Sequence, residues 1–512
     1  MAIACMISHF AGKREDSDKA ELLMLADTFI EELEGLSWYN ELASIDLTRC
    51  FTVRDSGKVE IVPEAIAEEV AEAYNVISYN DLLYVYQDGY YQEGKRRIES
   101  LIHSILTNVG DGNKTYDKSH EAATREIIHR LKVTDPYFEY PFNNYENIIP
   151  VSNGLVKIDF DAETYELIPN NPYYKFNYRL NVAYDPDAEY DAIHDDVISK
   201  YVDGEECGIL YQIPAQAILQ MMGTAPYKKA YILQGDANAG KTAYLTFLAL
   251  MFGKASISNM SLQQLTADRF STANLEGKIL NTYDDLSDIP LNEGGVIKTI
   301  TGTKDHWVQK KNVQAYEATI NAVHCYACNI APDASKLHND TAFWERWEFI
   351  YFSNLFEVDP GFYGTYFTQK NISGFFNRVL EMVVRIKKYG LMYKSSASDV
   401  LNKWTQNSDP LYRFLDDNLV FNDNPMYYTK DDFLNMYRAY CEHERIAESK
   451  RPMNVAVFSQ LLFKYGVGEC QVTSQADGVR KRCYSVYRTW CSSSVYQNMF
   501  DRVIASTKQS KI

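Results

Sequence analysis

The sequence predicts a multidomain α/β protein. Its centre is a parallel sheet flanked by helices, with a mixed and partly helical region before it and a smaller helix-and-strand unit after it. Three observations carry this. The chain has 512 residues, too many for one ordinary core. Residues 200 to 385 alternate strand-like apolar runs with stretches of helical period. Finally, "YILQGDANAGKTAYLTFLALMFG", residues 231–253, sets the pattern G-x-x-x-x-G-K-[ST] between a buried strand and a helix.

Composition narrows the class. Hydrophobic residues make up 46% and charged residues 23%, the balance of a folded globular protein. The apolar runs fall short of the ~18 residues that a membrane helix needs, so no membrane partner is expected. "MAIACMISHFAGKRED" lacks a basic stretch ahead of its apolar part, which argues against a signal peptide. Nine scattered cysteines, an odd number, suit a reducing cytoplasm. The net charge of −18 argues against a protein coated in nucleic acid. A narrow basic channel stays compatible with it, because phosphate binding follows the local field.

Taken in order, residues 1–75 read as a helical region of unassigned role, from the spacing of Leu22, Leu25, Phe29, Ile30 and Leu33. Residues 76–195 are mixed. "DLLYVYQDGYYQ" is a hairpin on its Asp88-Gly89 turn, and "EGKRRIESLIHSILTNVG" is an amphipathic helix. Residues 196–388 hold the α/β alternation. Residues 389–495 are more basic, with Thr429 capping a helix that carries Phe433, Tyr437, Tyr440 and Cys441 on one side. "NVAVFSQLLFKYG" follows as a second helix. An Asp-Gly turn then leads to Arg480, Lys481 and Arg482, a candidate duplex-binding wing. Residues 496–512 form a tail.

The chemistry centres on Gly235, Asp236, Ala237, Asn238, Ala239, Gly240, Lys241 and Thr242. Glycines let backbone N–H groups wrap an anion at a helix start. Lys241 would neutralise β- and γ-phosphate oxygens, and the Thr242 hydroxyl would ligate Mg²⁺. Such a site needs an acid for the metal and a carboxylate for water at the end of a neighbouring strand. "GKILNTYDDLSD" supplies Asp284 and Asp285 after a strand over 279–283. A further strand, "AVHCYACN", ends in Asn329, an amide able to hold the attacking water. The Cys325-x-x-Cys328 spacing inside it reads as small strand residues, since zinc would require a second pair. "FWERWEFIYF" places Arg346 between tryptophans, either as a packed amphipathic stem or as an arginine lent to a neighbour's phosphate. Lys298, Lys304, Lys310 and Lys311 cluster with His306 and Trp307 in a stretch expected to form a hairpin, suited to tracking a single strand.

Order and spacing together resemble the superfamily 3 DNA helicases, AAA+ ATPases of viruses, phages and plasmids, in their poxvirus and phage/plasmid primase-helicase branch. The segments that carry the likeness are "GDANAGKT", "ILNTYDDL", "IKTITGTKDHWVQKK", "YACNIAPD" and "FWERWEFIYF". Upstream, "VSNGLVKIDFDAETYELIPNNPYYKFNYRLNVAYDPDAEYDAI" is similar to the accessory, collar-like domain preceding this motor. Downstream, "SDPLYRFLDDNLVF" and "YYTKDDFLNMYRAYCEHERI" are similar to its winged-helix module. Two departures stand out: Asp285 where relatives often carry glutamate, and Glu345 before Arg346 where two arginines are common. The 75 residues ahead of the accessory segment read as too short for a primase domain.

The resemblance implies an ATP- and Mg²⁺-dependent ring helicase or translocase for replication of a mobile element, most simply a hexamer moving 3′ to 5′. It would bind single- and double-stranded DNA and work beside a primase or polymerase. Lys241, Thr242, Asp284, Asp285 and Asn329 would come from one copy and Arg346 from the next. Lys304, His306, Lys310, Lys311, Arg480, Lys481 and Arg482 would meet DNA. The alternatives are an origin-binding initiator with little unwinding, which the basic block at 480–482 favours, and a DNA-sensing or scaffold ATPase, which Asp285 permits. A small-molecule kinase would need none of the downstream motifs.

Overall fold

The computed structural model describes residues 45–490 except 47, 54, 56–58, 109–117, 225, 269, 288, 304, 310–314, 445, 447–450 and 474–477. The helix expected around Leu22 to Leu33 lies outside these residues.

The described chain opens with two short antiparallel strands, β1 (Phe51–Val53) and β2 (Val59–Ile61), before helix α1 (Pro63–Ala73). Pro63 begins that helix where its missing N–H costs nothing. Strands β3 (Ile77–Tyr79), β4 (Leu82–Gln87) and β5 (Tyr90–Glu93) follow, then helices α2 (Lys95–Asn108) and α3 (Lys118–Val133) and strand β6 (Pro136–Tyr137). The sheet order is β5-β4-β3-β6. Asp88 and Gly89 both have positive φ (53° and 89°), so β4 and β5 close through the tight turn that the sequence anticipates. Cys50, Ile66, Val70, Val85, Ile102 and Ile127 pack into one core. Residues on both sides of position 75 therefore share a single apolar cluster, and the helical reading of residues 45–75 misses the β1–β2 pair.

An antiparallel meander comes next: β7 (Ile148–Val151), β8 (Gly154–Asp159) and β9 (Thr164–Ile168). Its inward residues join the same core as the central unit, and the Asn181 N–H donates to the Met251 carbonyl at 2.8 Å. Helix α4 (Ile209–Met221) is buried along its whole length. Its three glutamines avoid the cost of stranded amides by bonding loop backbone. Gln212 meets both the N–H and carbonyl of Tyr393, Gln216 donates to the Lys229 carbonyl, and Gln220 to that of Asn321.

The central sheet is built from β10 (Ala230–Gln234), β11 (Ile257–Ser258), β12 (Leu280–Tyr283), β15 (Val323–Cys328) and β16 (Trp347–Tyr351) in the order β11-β12-β15-β10-β16, all pairs parallel. Helices α5 (Lys241–Phe252) and α6 (Leu262–Ala267) follow the first two strands. Helix α7 (Gly295–Ile300) then leads into an antiparallel pair, β13 (Asp305–Val308) and β14 (Tyr316–Thr319). Helix α8 (Thr341–Trp344) leads into β16. The apolar run of β10 suits a strand covered on both faces: Ala230, Tyr231, Ile232 and Leu233 are wholly buried. Because β10 sits between strands that come later in the chain, its C-terminal end faces a crevice.

Helix α9 (Phe362–Tyr366) and the long helix α10 (Gln369–Tyr389) pack behind the sheet, and Gly390 ends α10 with φ 79°. Helix α11 (Ala397–Ser408) still belongs to the sheet, because Trp404 packs with Phe343, Trp344 and Trp347. Shared packing thus runs past residue 388. The remaining elements are α12 (Pro410–Asn418), β17 (Leu419–Thr429), α13 (Lys430–His443), α14 (Val455–Phe463), β18 (Gly468–Thr473) and β19 (Arg480–Trp490), with the antiparallel order β17-β19-β18. Among the described residues no helix is long and apolar enough to cross a membrane.

Candidate active site

The loop after β10 turns through Asn238 (φ 63°) and Gly240 (φ 92°) into α5. Both fixed glycines are demanded by close approach. A Cβ at Gly235 would lie 2.6 Å from the Phe352 carbonyl oxygen, and one at Gly240 would run into the Tyr201 ring. Asp236, Ala237 and Asn238 are exposed, so the loop presents its backbone to the cavity at a helix start, where partial positive charge gathers. Lys241 is only 7% exposed. Its Nζ donates to the carbonyls of Gly235 (2.7 Å) and Asp236 (2.8 Å) and to Asn329 Oδ1 (3.0 Å). Burial lowers its pKa, while Cys328, Asp284, Asp236 and Asp285 pull the other way.

Strand pairing brings the other residues to the same edge. β15 lies beside β10 and β12 beside β15, so Asn329, Asp284 and Asp285 emerge next to the loop. The Gln234 side chain fixes the Asn329 carbonyl at 3.0 Å, and the Leu286 N–H bonds the Ala327 carbonyl at 2.7 Å. Asp285 has φ 62°, an uncommon conformation for a non-glycine residue. A cavity of 650 Å³ is lined by Ala237 to Thr242, Asp284, Asp285 and Asn329. That is ample for a drug-sized ligand. A second wall comes from Lys200 and Tyr201 and from Phe356, Phe362, Tyr363 and Tyr366. The Phe356 N–H bonds the Asn238 carbonyl at 3.0 Å, tying that wall to the loop. Sequence reading misses this wall. The only local signal is the aromatic run "GFYGTYF", which nothing in sequence order connects to residue 240.

The donor set fits the groups expected there. The backbone cradle is one that a side chain would fill, and an adjacent ammonium suits phosphate. One hydroxyl and one carboxylate, Thr242 and Asp284, are what a Mg²⁺ ion retaining several waters and phosphate oxygens takes from protein. Among the described residues no cluster of three or more His, Cys, Asp or Glu could hold a metal by itself.

Arg346 is not in this cavity. Its carbonyl accepts from the Ala230 N–H at 2.6 Å, at the opposite end of β10 from the loop. Five strand residues separate the two ends, about 16 Å at ~3.3 Å per residue. Its Nε is buried with no partner among the described atoms.

Strand alternation divides the hairpin residues. His306 is 7% exposed and its Nε2 lies 2.8 Å from the Thr303 carbonyl, whereas Trp307 is 75% exposed. This corrects the expectation that His306 presents its ring outward to nucleic acid, since the pleat turns it into the core and Trp307 out. Lys304, Lys310 and Lys311 lie outside the described residues. Lys298 is held by Asp340 at 2.6 Å. Arg480, Lys481 and Arg482 are all exposed at the start of β19, on alternating faces after Gly478 (φ 67°).

The profile of a family of unknown function, DUF5906, matches residues 233–345. That stretch holds the loop, both aspartates and Asn329. No curated protein matches the chain. Among solved structures it is similar to the apo A form of the NrS-1 C-terminal region, with 12% identity and a TM-score of 0.38 over 83% of this chain and 100% of that one. A second apo A form, spanning residues 305–718 of NrS-1, gives 13% identity and a TM-score of 0.37 over 83% and 99%.

Proposed function

We propose that the chain is an ATP-driven, ring-forming DNA helicase or translocase of the superfamily 3 AAA+ type, acting in replication of a virus, plasmid or other mobile element. One observation carries this reading. Lys241, Thr242, Asp284, Asp285 and Asn329 converge on one cavity, while Arg346 stands at the other end of the same sheet.

In this reading the loop amides and Lys241 hold the β- and γ-phosphates, with Lys241 exchanging its carbonyl partners for phosphate oxygens. Thr242 and Asp284 would hold Mg²⁺, which when bound neutralises charge on the phosphate oxygens. Asp285 orients the attacking water and takes its proton. Asn329, already bonded to Lys241, registers whether a γ-phosphate is present. Arg346 serves the cavity of a neighbouring copy, where such an arginine contributes on the order of 10³-fold or more in rate. The hairpin, with Trp307 outward and Lys304, Lys310 and Lys311 in the same segment, tracks one strand. The tail's element order and three-stranded sheet support a winged helix, with Arg480, Lys481 and Arg482 toward duplex phosphates.

The test is unwinding of a forked DNA by purified protein with ATP, together with subunit mixing. Arg346→Ala and Lys241→Ala proteins should each be inactive alone and regain part of the turnover when mixed. Absence of rescue, with each variant folded and assembled, would remove the shared site.

A further inference from the structure

Two thiols face one another in the last sheet of the chain. β18 is an edge strand of the order β17-β19-β18, paired with β19 alone among the described strands. In the register of that pair Cys470 stands directly opposite Cys483. Side chains at directly opposed positions leave the same face of a sheet, with Cβ atoms about 4.5–5.5 Å apart. Their Cα atoms lie about 4.5 Å apart at a non-hydrogen-bonded site and about 5.5 Å at a hydrogen-bonded one. Both values fall inside the ~4.4–6.8 Å that a disulfide spans. Neither cysteine is in a disulfide. Cys470 is partly exposed, whereas Cys483 is 5% exposed and its thiol donates to the Lys481 carbonyl at 3.8 Å. Burial pushes the Cys483 thiol up, and Cys470 and Asp432 nearby add to this. A reagent from solution therefore meets Cys470 first.

We propose that Cys470 and Cys483 are a modification site: a low-molecular-weight disulfide of the glutathione class joins them into a cross-strand bond that staples β18 to β19. The exchange balances in two steps. The Cys470 thiolate attacks one sulfur of the small disulfide and forms a bond to it from Sγ. The other half leaves as a thiolate and takes up the proton that Cys470 released. Cys483, deprotonated in turn, attacks Cys470 Sγ, and the second half leaves as a thiol. Two protein thiols are oxidised, and one small disulfide is reduced to two thiols. A reducing cytoplasm keeps such a pair open and lets it close transiently. Closure draws the Cβ atoms to about 3.8 Å, a small inward shift that an edge strand can make. Cys470 is the third of six residues in β18, so the bond falls near the middle of the strand. It closes the loop that carries Arg480, Lys481 and Arg482, which then cannot spread when the edge strand frays. This pairing follows from strand register and holds whatever the cavity beside Lys241 binds.

The experiment incubates the full chain with oxidised glutathione, alkylates the remaining thiols and digests with trypsin in the absence of reductant. Cleavage after Lys464, Arg480, Arg482 and Arg488 puts Cys470 in the peptide 465–480 and Cys483 in the peptide 483–488. Mass spectrometry should find these two joined, lighter than their sum by the hydrogens lost, and dithiothreitol should release them. Hydrogen exchange of the β18 amides should slow by about tenfold or more in the oxidised protein. Cys470→Ser, at a partly exposed position, should melt like wild type and show neither change. Reversal by dithiothreitol in the wild-type chain gives the same comparison without a substitution. Cysteines that stay open to alkylation, or that each carry glutathione with no joined species, overturn the pair. Joined peptides with unchanged β18 exchange, or slowing that persists in Cys470→Ser, overturn the staple.

Discussion

The frame that carries Arg346 depends on a buried ion pair whose removal gives a sharp expectation. Lys229 and Glu348 form a salt bridge at 3% and 2% side-chain exposure. Lys229 Nζ also donates to the Trp347 carbonyl at 3.0 Å, and both Glu348 oxygens accept from the Ser395 N–H at 3.0 Å. Lys229→Met removes the cation and leaves a carboxylate with one donor in a dry site. Breaking such a pair costs about 3–5 kcal/mol, against a total of about 5–15 kcal/mol for a typical domain. Replacing both partners, Lys229→Met with Glu348→Met, removes the stranded charge and should recover most of that loss. The assay is hydrogen exchange of the β16 amides read by mass spectrometry, which reports local opening without assuming that the whole chain unfolds in one step. The single variant should exchange roughly 10²- to 4 × 10³-fold faster than wild type, and the double variant should lie close to wild type. If single and double variants exchange equally fast, the loss is one of packing and the electrostatic account is wrong.

Two further expectations follow from the site and the sheet. Asp285→Asn should retain nucleotide binding, measured by calorimetry, while losing on the order of 10²- to 10⁴-fold in turnover, the usual worth of a general base; unchanged turnover would free Asp285 of that role. His324 is fully buried on β15 and its pKa is pushed down to about 3, by burial first and His306 second. The unfolded chain therefore binds a proton that the folded one refuses between pH 6.5 and about 3. Stability rises with pH across that window and is lost on acidification at roughly 1.4 kcal/mol per unit from this group. Melting curves of His324→Asn should show a flatter acid limb than wild type.

How much was legible in the sequence differs by element. Gly235 to Thr242, Asp284, Asp285 and Asn329 can be read as one group because each ends a strand of a parallel sheet, and parallel strands end on one edge. The Asp88-Gly89 hairpin is equally readable, since the positive φ values it needs belong to those residue types. The Tyr201 and Phe356 wall is not, because both reach the loop by packing across long stretches of chain. The same holds for Lys298, whose basic neighbours suggest a nucleic-acid face although Asp340, distant in sequence, claims it. His306 is a narrower miss. Strand period alone puts His306 and Trp307 on opposite faces, and which one faces inward depends on what packs beneath the hairpin.

That outward indole is also a ready optical reporter. Among the described residues, Trp344, Trp347 and Trp404 are no more than 2% exposed, whereas Trp307 stands 75% in solvent. Iodide or acrylamide should extinguish its fluorescence before that of these three buried indoles, and an oligonucleotide lying along the hairpin should shield it from both. Contact by nucleic acid could thus be followed in unlabelled protein, with Trp307→Phe as the blank that subtracts every other indole.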